Sequence, residues 1–199
     1  TILRDGQPMN IAVTRAKIEV EVVSYELLDN AIGYIKINNF DSNCSRDTLA
    51  AIEALRADGA QSLIFDLRFN PGGMKTELLT VLDYLLPEGP LFTSVDYQGH
   101  ESTDYSDANY LDLPMAVLVN QDSYSAAEFF AAALQEYDWA TVVGTKTCGK
   151  GNFQTAFTLS DGSMLNLSIG KYFTPNGCSL TDIGVTPDEP VELSDEDAA

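Results

Sequence analysis

Imidazole is almost missing from this chain: among 199 residues the only histidine is His100. A Ser-His-Asp triad needs an imidazole held beside its nucleophile. His100 lies in Tyr97-Gln98-Gly99-His100, far in sequence from any nucleophile-like turn, and reads as a surface loop histidine, with a catalytic role as the alternative. Cysteine is scarce too. Cys44, Cys148 and Cys178 are odd in number and form no CxxC spacing, so with one histidine they supply too few ligands for a zinc site. No metal and no cofactor is expected. One disulfide plus a free thiol and three reduced thiols both remain compatible with the count. Positive charge is short: 11 Lys and Arg stand against 30 Asp and Glu, a net charge of −19. Phosphate binding rests on Lys and Arg, so nucleic acid and anionic membranes are excluded as expected partners, and the acidity reads as a solvated surface. An aspartic dyad is not excluded by counting, but the acidic residues fall mostly in loops and the tail, which favours solvation. No apolar run approaches the roughly 18–20 residues that cross a bilayer. There is no signal peptide, GxSxG elbow, Walker A loop or HExxH. The chain opens at Thr1 without Met, which reads as a piece of a longer protein.

What is present alternates between strand and helix signals. Arg4-Asp5-Gly6-Gln7 marks a turn between two short strand-like runs. Ile32–Asn38 alternates as a strand. Ser45 is placed to cap a helix over Arg46–Ala57, stopped by Asp58-Gly59. Ser62–Leu67 reads as a buried strand that breaks at Asn70-Pro71-Gly72-Gly73, with an apolar-periodic helix over Thr76–Leu86. Pro90–Tyr97 reads as a strand and Gln98–Asp112 as a long polar, Tyr-rich surface loop. Met115–Val119 predicts a strand, Ala126–Glu136 a helix and Ala140–Val143 another strand. Phe153–Leu159 and Met164–Phe173 predict a hairpin around Ser160-Asp161-Gly162-Ser163. This order implies an α/β core with a mainly parallel sheet, to which the late hairpin adds antiparallel strands. Glu192–Ala199 reads as a frayed acidic tail.

Three segments carry candidate chemistry. In Val117-Leu118-Val119-Asn120-Gln121-Asp122-Ser123-Tyr124-Ser125-Ala126-Ala127-Glu128 a buried strand ends in a polar turn and an Ala-rich helix begins. Ser125 then sits at a helix N-terminus, where free N–H groups and the helix dipole favour an oxyanion. The same Ser125-Ala126-Ala127-Glu128 is equally a capping box, and the segment alone leaves both readings open. In Gly144-Thr145-Lys146-Thr147-Cys148-Gly149-Lys150-Gly151-Asn152-Phe153-Gln154, Lys150 lies between two glycines at a strand mouth. Free lysine, with a pKa of about 10.4, is a poor base at neutral pH. Burial among apolar groups lowers it and makes lysine competent to take a serine proton. Gln154 would share its face. The plain alternative is a glycine-rich turn with a solvated lysine. In Asp66-Leu67-Arg68-Phe69-Asn70-Pro71-Gly72-Gly73 the glycines let backbone approach a ligand closely and offer N–H groups as half of an oxyanion hole, Ala126 N–H being the other half. An ordinary strand-to-helix turn is the alternative.

Together and in this order the segments resemble one family, the C-terminal processing peptidases or tail-specific proteases. DLRFNPGG is similar to that family's DLRxNPGG turn, VLVNQDSYSAAEFFAAALQ to its nucleophile segment VLVNxxSASASEIxAGALQ, and GTKTCGKGNFQ to its lysine segment GxxTFGKGxxQ. YFTPNGCSL and GVTPDEPVE match its endings, so the resemblance spans about Ile32 to Pro187. It implies a Clp-protease/crotonase-like α/β core and a serine endopeptidase that cleaves proteins near their C-termini. Carried over by residue, it makes Ser125 the nucleophile, Lys150 the general base and Gln154 the residue that holds the lysine. Gly73, Gly72 and Ala126 are the implied oxyanion-hole donors. Tyr124 departs from a small residue in the family pattern and Cys148 from a phenylalanine. Family members usually carry a PDZ module, and Thr1–Ile18 looks like its last strands only. The expected division is residues 1–20 as a PDZ remnant, 21–192 as the catalytic core and 193–199 as an acidic tail. The resemblance further implies protein or peptide substrates and extracytoplasmic action in bacteria. Membrane tethering or a periplasm-facing parent, and a homo-oligomer, go with it. Two other readings compete: an inactive binding domain of the same fold, and an acyl-thioester enzyme, which has no need of a paired serine and lysine.

Overall fold

A computed structural model describes residues 2–14 and 21–192. The first strands, β1 (Ile2–Arg4) and β2 (Gln7–Met9), pair antiparallel around Asp5-Gly6, both at positive φ. Every described residue up to 14 is exposed, and among the described residues this hairpin pairs with no other strand. The expected PDZ remnant falls partly on residues 15–20, and the expected acidic tail on 193–199; both stretches lie outside the described residues.

The core follows as β3 (Val23–Leu28), β4 (Ile32–Ile37), α1 (Cys44–Ala57), β5 (Ser62–Asp66), α2 (Lys75–Leu85), β6 (Gly89–Asp96) and β7 (Glu101–Ser106). Then come β8 (Met115–Val119), α3 (Ala126–Glu136), β9 (Ala140–Gly144), β10 (Asn152–Thr158), β11 (Met164–Phe173) and β12 (Glu189–Pro190). One sheet runs β12-β9-β8-β5-β4-β3; every neighbouring pair is parallel except β3 with β4. A second sheet, β10-β11-β6-β7, is antiparallel throughout. The late hairpin therefore does not extend the main sheet. It joins the second one.

Helix periodicity explains how the layers meet. α1 buries Cys44, Thr48, Ala51, Ile52 and Leu55, and α2 buries Leu78, Val81, Leu82 and Leu85, each a single apolar stripe. α3 is different: Ala126 through Leu134 are all buried. A helix apolar all round must be covered on several sides, and α3 lies between the two sheets. Successive residues on a helix point about 100° apart. Phe130 accordingly meets Phe65 of β5 at 5.3 Å between ring centroids, whereas Phe129 meets Phe92 of β6 at 4.7 Å and Tyr172 of β11 at 5.6 Å. α3 thus touches both sheets.

Three expectations are corrected. Glu101–Ser106, read as loop, is strand β7, with Thr93 and Thr103 facing across the pair and their hydroxyls 2.9 Å apart. It is the edge strand of its sheet and mostly unburied, so its sequence carries no apolar alternation. β3 was not expected either; four of its six residues are exposed, which hides the period. α1 begins at Cys44 with Asn43 as N-cap, not at Ser45, whose N–H and hydroxyl both donate to Glu77 Oε2 at 2.8 and 2.7 Å.

Candidate active site

Two chain reversals at the C-terminal ends of β5 and β8 are stitched together by polar groups. Ser123 Oγ donates to Leu67 O at 2.8 Å, and Asn120 Oδ1 accepts from Phe69 N–H at 3.0 Å. Tyr124 N–H donates to Asn70 O at 2.9 Å, while the Asn70 side chain donates to Ile37 O at 2.7 Å and accepts from Gly72 N–H at 2.8 Å. All of these side chains are buried, where an unmade bond would cost about 1–3 kcal/mol. The turn is thereby pressed against the start of α3. A Cβ on Gly72 would lie 2.7 Å from Tyr124 O, 2.8 Å from Ser125 Cβ and 2.9 Å from Ala126 N; one on Gly73 would lie 2.5 Å from the Phe40 backbone. Glycine is required at both positions.

Ser125 is the N-cap of α3 with φ 57° and ψ −112°. That conformation is strained for a non-glycine residue, at a cost of about 1–3 kcal/mol. Ser125 and Glu128 take the reciprocal capping-box arrangement, in which the carboxylate accepts from Ser125 N–H at 2.8 Å. No side-chain cap hydrogen bond of full geometry ties the serine hydroxyl to the helix. The N–H groups of Gly73 and Ala126 have no acceptor among the described residues, whereas that of Gly72 is taken by Asn70. The three expected oxyanion residues thus divide: Gly73 and Ala126 have free donors, and Gly72 provides the close approach.

Lys150 lies in the Gly149-Lys150-Gly151 turn before β10. Its N–H donates to Glu128 Oε2 at 2.9 Å, its C=O accepts from the Tyr172 hydroxyl, and its Nζ stands 4.8 Å from the centre of the Tyr124 ring. Ser125, Lys150, Gln154, Gly73 and Ala126 line one cavity of about 640 Å³, floored by Phe92 and Phe129. No hydrogen bond joins Ser125 to Lys150 among the described residues. Gln154 faces the cavity, but its amide bonds Ser168 Oγ at 3.4 Å and Asn166 Nδ2 at 3.3 Å instead of the lysine. His100 lies away from this cavity, exposed at the turn between β6 and β7 and bonded to Asp96 at 2.9 Å. Among the described residues no cluster of His, Cys, Asp and Glu forms a metal site, and no helix is long and apolar enough to cross a membrane.

Two site residues escaped sequence reasoning. Glu128, read only as a helix cap, is fully buried and accepts from four groups: Ser125 N–H, Lys150 N–H, Gly149 N–H and the Thr147 hydroxyl, the last at 2.7 Å. One carboxylate therefore fastens the serine turn to the lysine turn. Its only sequence signal was its place three residues after Ser125. Tyr172 bonds the lysine turn through its hydroxyl and its N–H, and was read in the sequence as strand and as the first residue of the YFTPNGCSL ending, not as a site residue. Beneath the glycine turn, Asp66 is also fully buried. Burial pushes its carboxyl up, but the paired bonds from Arg68, at 2.9 and 2.6 Å, and the Tyr34 hydroxyl outweigh this and hold it below the usual carboxylate range. Tyr34 is pushed up to about 12 by burial and by that carboxylate.

A serine at a helix N-terminus, a glycine turn and a lysine around one cavity, on this two-sheet frame, place the chain in the class of serine-type peptidases with an α/β fold. More narrowly, the chain belongs to peptidase family S41, whose sequence model matches residues 31–191. It is 37% identical over 190 residues to the carboxyl-terminal-processing protease of Synechocystis sp., covering 93% of this chain and 44% of that protein. To the chloroplastic carboxyl-terminal-processing peptidase 2 of Arabidopsis thaliana it is 36% identical, covering 94% and 39%. Among solved structures, the photosystem II D1 C-terminal processing protease superposes with a TM-score of 0.79 at 31% identity, covering 90% of this chain and 50% of that one. The chain thus spans less than half the length of these curated relatives.

Proposed function

We propose that this chain is the catalytic core of a serine endopeptidase that cleaves protein or peptide substrates near their C-termini. Ser125 attacks the scissile carbonyl, and Lys150, as a neutral amine, takes its proton and returns it to the leaving amine. Gly73 and Ala126 N–H groups receive the oxyanion, and Gln154 turns from the hairpin to hold the lysine when substrate occupies the cavity. The observation that carries this reading is the convergence of a strained Ser125, two unpartnered N–H groups and Lys150 on one cavity. The Phe92 and Phe129 floor suits an apolar substrate side chain. The names of the relatives support cleavage near C-termini. Extracytoplasmic action, membrane tethering and a homo-oligomer belong to the same reading of the longer protein.

The test is cleavage of unfolded casein by the wild type, Ser125→Ala and Lys150→Arg. Both variants are expected to lose cleavage by orders of magnitude, because alanine has no nucleophile and guanidinium does not deprotonate. Ser125→Ala should shift stability by at most about 1 kcal/mol, the worth of an N-cap. Cleavage by either variant at the wild-type rate would refute the assignment.

A further inference from the structure

Tyr172 lines the same cavity as Ser125 and Lys150 without belonging to the proposed dyad. It lies on β11 and is 4% exposed. Its ring is held against Phe92 at 5.2 Å and Phe129 at 5.6 Å, and its N–H donates to Gly151 O at 3.0 Å. Three contacts thus fix where the phenol oxygen stands. That hydroxyl donates to the main-chain carbonyl of Lys150.

We propose that Tyr172 is a positioning residue for the serine–lysine reaction: its hydroxyl fixes the Lys150 backbone at the wall of the cavity that Ser125 also lines. The inference rests on the function proposed above. A phenol has one proton to give and lone pairs to receive. The proton is committed to the Lys150 carbonyl. Burial pushes the Tyr172 phenol well above its ordinary range, which keeps that proton in place at working pH. Glu128 accepts from the Lys150 N–H and Tyr172 donates to the Lys150 C=O, so the two peptide groups on either side of the Lys150 Cα are each held. The tyrosine adds what the glutamate lacks, a bond to the carbonyl side of the base. Misplacing a reacting group by about 1 Å costs on the order of 100-fold in rate.

The experiment compares wild type, Tyr172→Phe and Ser125→Ala on the full chain, by casein cleavage, by labelling with a fluorophosphonate serine probe and by thermal melting. Phenylalanine keeps the ring against Phe92 and Phe129 and deletes only the hydroxyl. The expected result is a kcat lowered about 10- to 100-fold, slower probe labelling and an unchanged KM. Wild-type kcat and labelling in Tyr172→Phe would overturn the inference, as would a raised KM at unchanged kcat. A purely structural tyrosine would instead lower the melting temperature and leave the per-molecule kcat of folded protein alone. Ser125→Ala separates the two claims: if it still cleaves, the serine–lysine reading itself fails. If it is dead while Tyr172→Phe is fully active, only the role of Tyr172 fails.

Discussion

At the residue scale, Gly72 and Ser125 constrain each other. Gly59 and Gly72 both have positive φ, 96° and 92°, but an added Cβ at Gly59 meets nothing within 4 Å, while at Gly72 it meets the backbone of Tyr124 and Ala126 and the side chain of Ser125. Gly59→Ala isolates the conformational strain, which costs about 1 kcal/mol or somewhat more. Gly72→Ala adds a steric push into the start of α3. The expected outcome is a lower melting temperature for both, larger for Gly72→Ala, and loss of casein cleavage only for Gly72→Ala. Equal behaviour of the two variants would show that the close approach at Gly72 has no functional consequence. The glycines and Ser125 were all legible in the sequence as a pattern. Their mutual contact was not, because 52 positions separate Gly73 from Ser125 (125 − 73) and only the pairing of β5 with β8 closes that gap.

At the scale of elements, the lysine turn is joined to α3 by Glu128. Glutamine keeps the length of glutamate but has one oxygen where the carboxylate has two, and its NH₂ group would face N–H donors. Glu128→Gln should therefore leave buried donors of Gly149, Lys150 or Ser125 unsatisfied, at about 1–3 kcal/mol. It should also lower kcat, since both turns lose a shared anchor. Chemical denaturation together with casein cleavage checks this; unchanged midpoint and rate would mean that the carboxylate is dispensable. The elements themselves were read well where a face is buried. The helix over Ala126–Glu136 is observed with those bounds, and Met115–Val119 likewise. Reading failed at β3 and β7, at sheet edges with little burial, where pairing with a neighbour decides the structure and leaves no apolar period behind.

At the scale of the whole molecule, acid stability depends on Asp66. Its folded carboxyl is held below its ordinary value of 3.8. A depressed carboxyl stabilises the fold above the unfolded value, and that contribution is lost as pH falls through the folded one. Thermal melts from neutrality down to about pH 3 should show the loss beginning near pH 4. Asp66→Asn should be less stable at neutral pH and show a shallower acid limb. An unchanged acid limb in that variant would remove Asp66 as its source. The same group shows how far the sequence reaches. Composition alone weighed against imidazole catalysis and zinc as expectations, and the order of buried strands and amphipathic helices determined an α/β core, because burial imprints a period on sequence. The candidate turns were picked out by their motifs. What only the tertiary structure decided is how groups distant in sequence meet: Glu128 between two turns, Tyr172 on the lysine turn, and the free N–H groups of Gly73 and Ala126 brought to one cavity. Those contacts arise from the crossing of layers, and residue type at a position does not encode which distant partner it will meet.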